Sequence, residues 1–194
     1  LKQYDREEVH MPIERKSPTK ARAEVTPVTQ PILWPVPETL FLVSGAAEGG
    51  SSLNAFDNAL LAARIGDLNL IRVTSIAPPG VRIIEPYRIP PGSLVPVVYS
   101  SRISHEAGES ITCAIAVGLP KDGGSGLVME YSGIGDAKLA AVMARGMVRE
   151  GFARRRRELG EVIVVTAEHK VAKLGAVIAA CVFGFAAAGK KRGA

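Results

Sequence analysis

Aromatic side chains are scarce in this 194-residue chain, at 5% of the total with one tryptophan. Its core must therefore be built from Ala, Val, Ile and Leu, within a hydrophobic fraction of 47%. Cysteine is rarer still. Cys113 and Cys181, each inside an apolar stretch, allow neither a disulfide framework nor a C-x-x-C zinc pattern. That usage suits a reducing, cytoplasmic compartment. The three histidines, His10, His105 and His169, lie far apart and show no ligand spacing, so no metal is expected. A membrane-length apolar run is also missing. The longest candidate, residues 174–189 between Lys173 and Lys190, falls short of the roughly 20 residues a span needs and reads as a buried core element. The first ten residues, LKQYDREEVH, carry acidic groups and no apolar region, so they do not read as a secretory signal. Beginning at Leu1, the sequence reads as a fragment or a trimmed chain.

What is present points to one globular domain of moderate size. The formal charge of +5 is local. It comes from two runs, Arg154–Arg157 and Lys190–Arg192, and without them residues 38–194 are mildly acidic. This is not a body shaped for nucleic acid. Residues 1–37 hold six of the thirteen prolines and few large apolar groups, so they read as an extended, disordered tail, with Trp34 docking its end onto the domain 38–194.

Alternation and turn residues then divide the domain. Strands are expected over 39–45, 68–76, 94–103, 110–117 and 126–133, with Pro96 marking an edge or a bulge. In SITCAIAV, Ile111, Cys113, Ile115 and Val117 share one face. A helix is expected over 54–65, capped by Asn54 and stopped by Gly66. A longer one is expected over 136–159, with Leu139, Val142, Met143, Met147, Val148 and Phe152 on its inner face. EVIVVTAEH and LGAVIAACVFGF read as a closing hairpin, giving an α+β fold with antiparallel sheets rather than βαβ winding.

Few motifs carry chemistry by themselves. GAAEGGSS has the glycine spacing of a phosphate-binding loop, but Ser51 stands where the lysine should be, so a turn ahead of a helix is the better reading. Arg154–Arg157 lacks interleaved aromatics and reads as a solvated helix end. Thr74–Ser75 alone is an ordinary strand end, Glu130 an ordinary strand carboxylate, and Asp57 a carboxylate favoured near a helix N-terminus.

In combination the words are more specific. LNAFDNALLAARIGDLNLIRVTSIAPPG (53–80), PPGSLVPVVYS (90–100), ISHEAGESITCAIAVGLPKD (103–122), GLVMEYSG (126–133) and EHKVAKLGAVIAA (168–180) resemble, in order, the pyruvoyl-dependent arginine decarboxylases. The resemblance covers roughly residues 38–186 and implies self-cleavage between Thr74 and Ser75. The Ser75 hydroxyl would attack the preceding carbonyl, and elimination and loss of ammonia would leave a pyruvoyl group on Ser75, with no metal and no pyridoxal phosphate. The familiar motif reads Ser-Ser where this chain has Thr-Ser, which is tolerable because the first residue supplies only its carbonyl. The resemblance further implies L-arginine as substrate, decarboxylated to agmatine through a Schiff base. Glu130 would be the proton donor, in a pocket between apolar strands that raises its pKa, and Asn69 would orient the scissile carbonyl or the imine. Asp57 would bind the guanidinium, helped by the carbonyls of Leu53, Gly66 and Leu68. It also implies a layered sandwich flanked by helices and a homotrimer with the site between subunits, with neither nucleic acid nor membrane as partner. Three rival readings stay open on sequence: another amino-acid substrate, a non-cleaving binding or scaffold homologue, and a nucleic-acid-binding module using the two basic runs.

Overall fold

The computed structural model describes residues 35–185. The expectations for the tail up to Trp34, for His10 and for Lys190–Arg192 lie outside the described residues.

The elements run β1 (Thr39–Glu48), α1 (Ser52–Ala62), β2 (Asn69–Arg72), β3 (Ile76–Ala77), β4 (Arg82–Ile83), β5 (Leu94–Ser104), β6 (Ser110–Pro120), β7 (Gly126–Ile134), α2 (Ala137–Arg154), β8 (Leu159–Lys170) and β9 (Gly175–Gly184). They form two sheets, ordered β2-β5-β9-β1-β4 and β3-β7-β6-β8. Pairing is antiparallel except at two short edges, β2 on β5 and β4 on β1. The class is α+β, as the patterning indicates.

One core cluster draws on both sheets, joining Leu40, Val98, Val177, Ala179 and Cys181 to Ile111, Cys113, Ile115 and Val117. The alternation of β6 is thus realised, because its other face, Ala114 and Ala116, packs against α2. A third cluster lies between α1 and the first sheet, around Phe41, Ala55, Ala59 and Ile178. Pro96 is accommodated as a proline must be. Ser93 and Val97 turn their carbonyls toward β2, which leaves the nitrogen of Pro96 on the opposite side, where pairing with β9 begins only at Val97.

Several sequence expectations need correction. The single strand expected over 68–76 is two, β2 and β3, in different sheets, and β1 runs on to Glu48 through the start of the stretch expected as a Gly/Ser loop. β8 and β9 do not form a hairpin. β9 is buried along its whole length and apolar on both faces, so it inserts between β5 and β1, while the half-exposed β8 edges the other sheet. The cap of α1 is Ser51, whose Oγ accepts from the Asn54 N–H at 3.2 Å, and Asn54 sits inside the first turn. Its stop is Arg64 in the left-handed region at φ 62°, two residues before Gly66. Gly66 serves close packing instead, because a Cβ there would lie 2.7 Å from Leu61 Cδ2. Finally, α2 ends at Arg154 and buries Ala140, Ala144, Val148, Gly151 and Phe152, leaving Leu139, Val142 and Met143 exposed. Small residues win that face because they let the helix settle close on β6 and β7.

Candidate functional site

The expected cleavage point lies where the chain crosses between sheets. β2 belongs to one sheet and β3 to the other, and Val73 makes the last bond to β5, donating to Val97 O at 3.0 Å. Thr74 and Ser75 follow outside either strand. The segment is nevertheless fixed at both carbonyls. The Ile76 N–H donates to Thr74 O at 3.1 Å, and the Val128 N–H of β7 donates to Ser75 O at 2.8 Å. Thr74 is exposed and Ser75 half-buried. Beside them opens a cleft of about 500 Å³, lined on this side by Ile71, Val73, Thr74, Ile76 and Pro78.

Glu130 lies two residues beyond Val128 on the same strand, hence on the same face. Its Oε1 accepts from Arg72 Nη2 at 2.8 Å. Arg72 closes β2, stands 4.8 Å from the Tyr99 ring centroid and also donates to Tyr99 O at 3.3 Å. The structure therefore brings Thr74, Ser75 and Glu130 into one neighbourhood. It corrects the apolar surroundings expected for Glu130: the side chain is 36% exposed and ion-paired. Sequence reasoning missed Arg72 and Tyr99. An arginine two residues ahead of the cleavage point, on a strand joining the β5 edge, was the available signal.

The remaining expected site residues gather elsewhere in the chain. Asp57 lies in the second turn of α1, not the first, so the helix dipole does not account for it. Leu53 and Asp57 are four residues apart on one exposed helix face, with Leu53 76% exposed. Gly66 and Leu68 line a second cleft of about 620 Å³ together with Arg64, Asp67 and Arg88. The Asn69 side-chain amide donates to Gly92 O at 2.8 Å, at the end of β2 away from Ser75. Among the described residues, no hydrogen bond or ion pair joins this group to Ser75 or Glu130.

Other polar groups are occupied with holding the fold. Glu48, at the end of β1, accepts from the N–H groups of Ala172 (2.9 Å), Lys173 (3.0 Å) and Leu174 (2.9 Å) and contacts His169 Nε2. Those backbone donors, led by Ala172, and His169 pull its pKa down to about 2. No local pattern announces this residue, because its partners lie more than 120 positions away. His105 pairs with Ser52 at 2.9 Å. Within the arginine run, Arg155 returns to Gly151 O, Arg157 ties Asp122 and Ser125, and Arg154 approaches Glu150. Arg155 and Arg157 thus close the end of α2, while Arg154 and Arg156 face solvent. Burial pushes both cysteine thiols up to about 12, so neither is a ready nucleophile. Among the described residues, no group of three or more His, Cys, Asp or Glu side chains could hold a metal.

A family profile for pyruvoyl-dependent arginine decarboxylase matches residues 39–188. Among curated relatives, the pyruvoyl-dependent arginine decarboxylase of Methanococcus maripaludis is 45% identical over 145 residues, covering 74% of this chain and 88% of the relative. The protein of that name from Methanocaldococcus jannaschii is 44% identical over 159 residues, covering 81% and 95%. That from Pyrococcus abyssi is 41% identical over 152 residues, covering 77% and 96%.

Proposed function

The chain belongs to the pyruvoyl-dependent arginine decarboxylase family, and from that premise we propose that it cuts itself between Thr74 and Ser75 and then decarboxylates L-arginine at the new terminus. Removing the carboxyl group from arginine gives agmatine and carbon dioxide. The observation that carries this reading is the hold on the Thr74–Ser75 peptide, which is free of the ladder but pinned at both carbonyls, two residues along β7 from Glu130. Ser75 fits the prosthetic group the family uses, since its own carbonyl is already fixed by Val128 and, among the described residues, no hydrogen bond engages its hydroxyl. A pyruvoyl group there supplies an electrophilic carbonyl that takes up the substrate amine and accepts the electron pair released with carbon dioxide.

The chain's own residues do the rest. Glu130 takes up a proton from solvent and passes it to the substrate Cα, and Arg72 positions its carboxyl group. Asp57 pairs with the guanidinium, and the carbonyls of Leu53, Gly66 and Leu68 take its remaining N–H groups. Asn69 orients the reacting carbonyl.

These groups belong to different subunits in this reading. Leu53 and Leu61, 76% and 50% exposed, flank Asp57 along α1, while Ile76, 47% exposed, adjoins Ser75. Two apolar, solvent-facing half-sites on one chain are what a homotrimer with sites between subunits would cover. The three core clusters support a layered sandwich with α1 and α2 outermost. The active domain is residues 38–194, in line with the family match from residue 39. A cytoplasmic location accords with two free, buried thiols, and among the described residues no helix is long and apolar enough to cross a membrane.

Intact mass tests the reading. The purified protein should be two chains of roughly 8 and 13 kDa, mass taken as proportional to length. Ser75→Ala should stay full-length and release no carbon dioxide from arginine. A single uncut chain with full activity would overturn it.

A further inference from the structure

The Thr74 carbonyl accepts from one backbone donor, the Ile76 N–H at 3.1 Å, which closes a three-residue turn around Ser75. Ile76 is a strand residue, yet it spends its N–H backward on this turn. Its register partner is Leu127, and the neighbouring contact with β7 is made by Val128 to Ser75 O. The surroundings on this side are apolar, with Ile71, Val73, Ile76 and Pro78 lining the adjoining cleft. A fixed dipole aimed at a developing charge stabilises it without the reorientation that water needs.

We propose that the Ile76 N–H is the oxyanion donor of the self-cleavage reaction. This rests on the reading that the chain is cut between Thr74 and Ser75. In the first step the Ser75 hydroxyl oxygen bonds to the Thr74 carbonyl carbon, and the carbonyl electron pair moves onto oxygen. The hydroxyl proton leaves through solvent. The resulting oxyanion sits at the one atom Ile76 already contacts. Collapse breaks the Thr74–Ser75 C–N bond, the amine takes up a proton, and an ester joins Thr74 to the Ser75 side chain. Loss of the Ser75 Cα proton and cleavage of its Cβ–O bond then release the Thr74 carboxylate. The dehydroalanine left behind tautomerises, and water displaces ammonia to give the pyruvoyl group. A donor already aimed at the carbonyl stabilises the first tetrahedral species without reorganising. The same contact makes the carbonyl carbon more electrophilic before attack.

Removing one oxyanion donor typically slows a reaction by about 10²–10³-fold. Two changes remove this one. Ile76→Pro deletes the N–H with no loss of an interstrand bond, and replacing Ile76 by its α-hydroxy analogue swaps the N–H for oxygen while keeping the side chain. The fraction of uncut chain is followed over time by denaturing gel and intact mass, and circular dichroism confirms that each variant is folded. Both should process slower by that order, while Ile76→Val and Ile76→Ala should process at the wild-type rate. Wild-type-rate cleavage of the α-hydroxy variant overturns the proposal, even if the proline variant stalls, because the stall would then come from proline geometry. A wild-type chain that is never cut refutes the underlying cleavage reading, whereas a wild type that is cut alongside an unaffected α-hydroxy variant refutes only the role of Ile76.

Discussion

Glu130→Gln should leave the fold and the self-cleavage intact while nearly abolishing turnover, and the structure sets the scale of each effect. Glu130 and Arg72 are 2.8 Å apart, but their side chains are 36% and 56% exposed. An ion pair that open to solvent contributes about 0.2–1 kcal/mol, and glutamine still offers Arg72 a carbonyl oxygen. At roughly 2–4 °C per kcal/mol for a chain of this size, the melting temperature should fall by a few degrees at most. Cleavage needs the Ser75 hydroxyl, the Thr74 carbonyl and the turn that holds them, none of which involves the Glu130 carboxyl. Decarboxylation needs a proton donor at the substrate Cα, which contributes about 10²–10⁴-fold, or about 2.7–5.4 kcal/mol of barrier. The assay is paired: a denaturing gel for the cut, and carbon dioxide release from arginine for turnover. A fully processed, fully active variant would make Glu130 an ordinary partner of Arg72. A variant that folds but is never cut would show that the two steps share this side chain.

Three further outcomes follow from other parts of the molecule. Asp57→Asn should process normally and raise KM for arginine by on the order of tenfold or more, each decade being about 1.4 kcal/mol, and an unchanged KM would move guanidinium recognition elsewhere. Glu48 ionises at about 2 when folded against an ordinary value of 4.5, so its stabilisation is fully present above 4.5 and is lost as pH falls toward 2. Glu48→Gln should therefore melt below the wild type at pH 7, with the gap closing across that window, and a gap independent of pH would refute the account. Gly118→Ala would place a Cβ 2.4 Å from Val148 Cγ1 and 2.9 Å from Phe152 Cε2, so thermal melts should show a loss of about 1–3 kcal/mol as α2 is pushed off β6.

Local patterns in the sequence were readable where one neighbour dictates the environment, and misleading where two do. The alternation of Ile111, Cys113, Ile115 and Val117 marks a face because β6 has a sheet-to-sheet core on one side and a helix on the other. On α2 the hydrophobic spacing of Leu139, Val142 and Met143 points the wrong way, because close approach to β6 rewards Ala140 and Ala144 over bulk. The apparent hairpin of β8 and β9 fails for a similar reason. Nearness in sequence favours pairing, but β9 is apolar on both faces and is stabilised more by two strand partners in the other sheet. The site divides along the same line. Ser75, Glu130, Asn69 and Asp57 were accessible as words of a family, whereas the contacts of Arg72 with Glu130 and Tyr99 join residues 58 and 27 positions apart, which spacing alone does not record.

β9, by its central place, bears on what the proposed cut would release. It is the last described strand to leave the ribosome, yet it sits in the middle of its sheet, with β5 and β1 waiting on either side. Until Gly184 has been added, β1 lacks its ten-residue partner and β5, which carries β2, lacks its neighbour. A cut between Thr74 and Ser75, as proposed, would leave the fragment ending at Thr74 bound through β1 to β9 and through β2 to β5, dividing the backbone but releasing nothing.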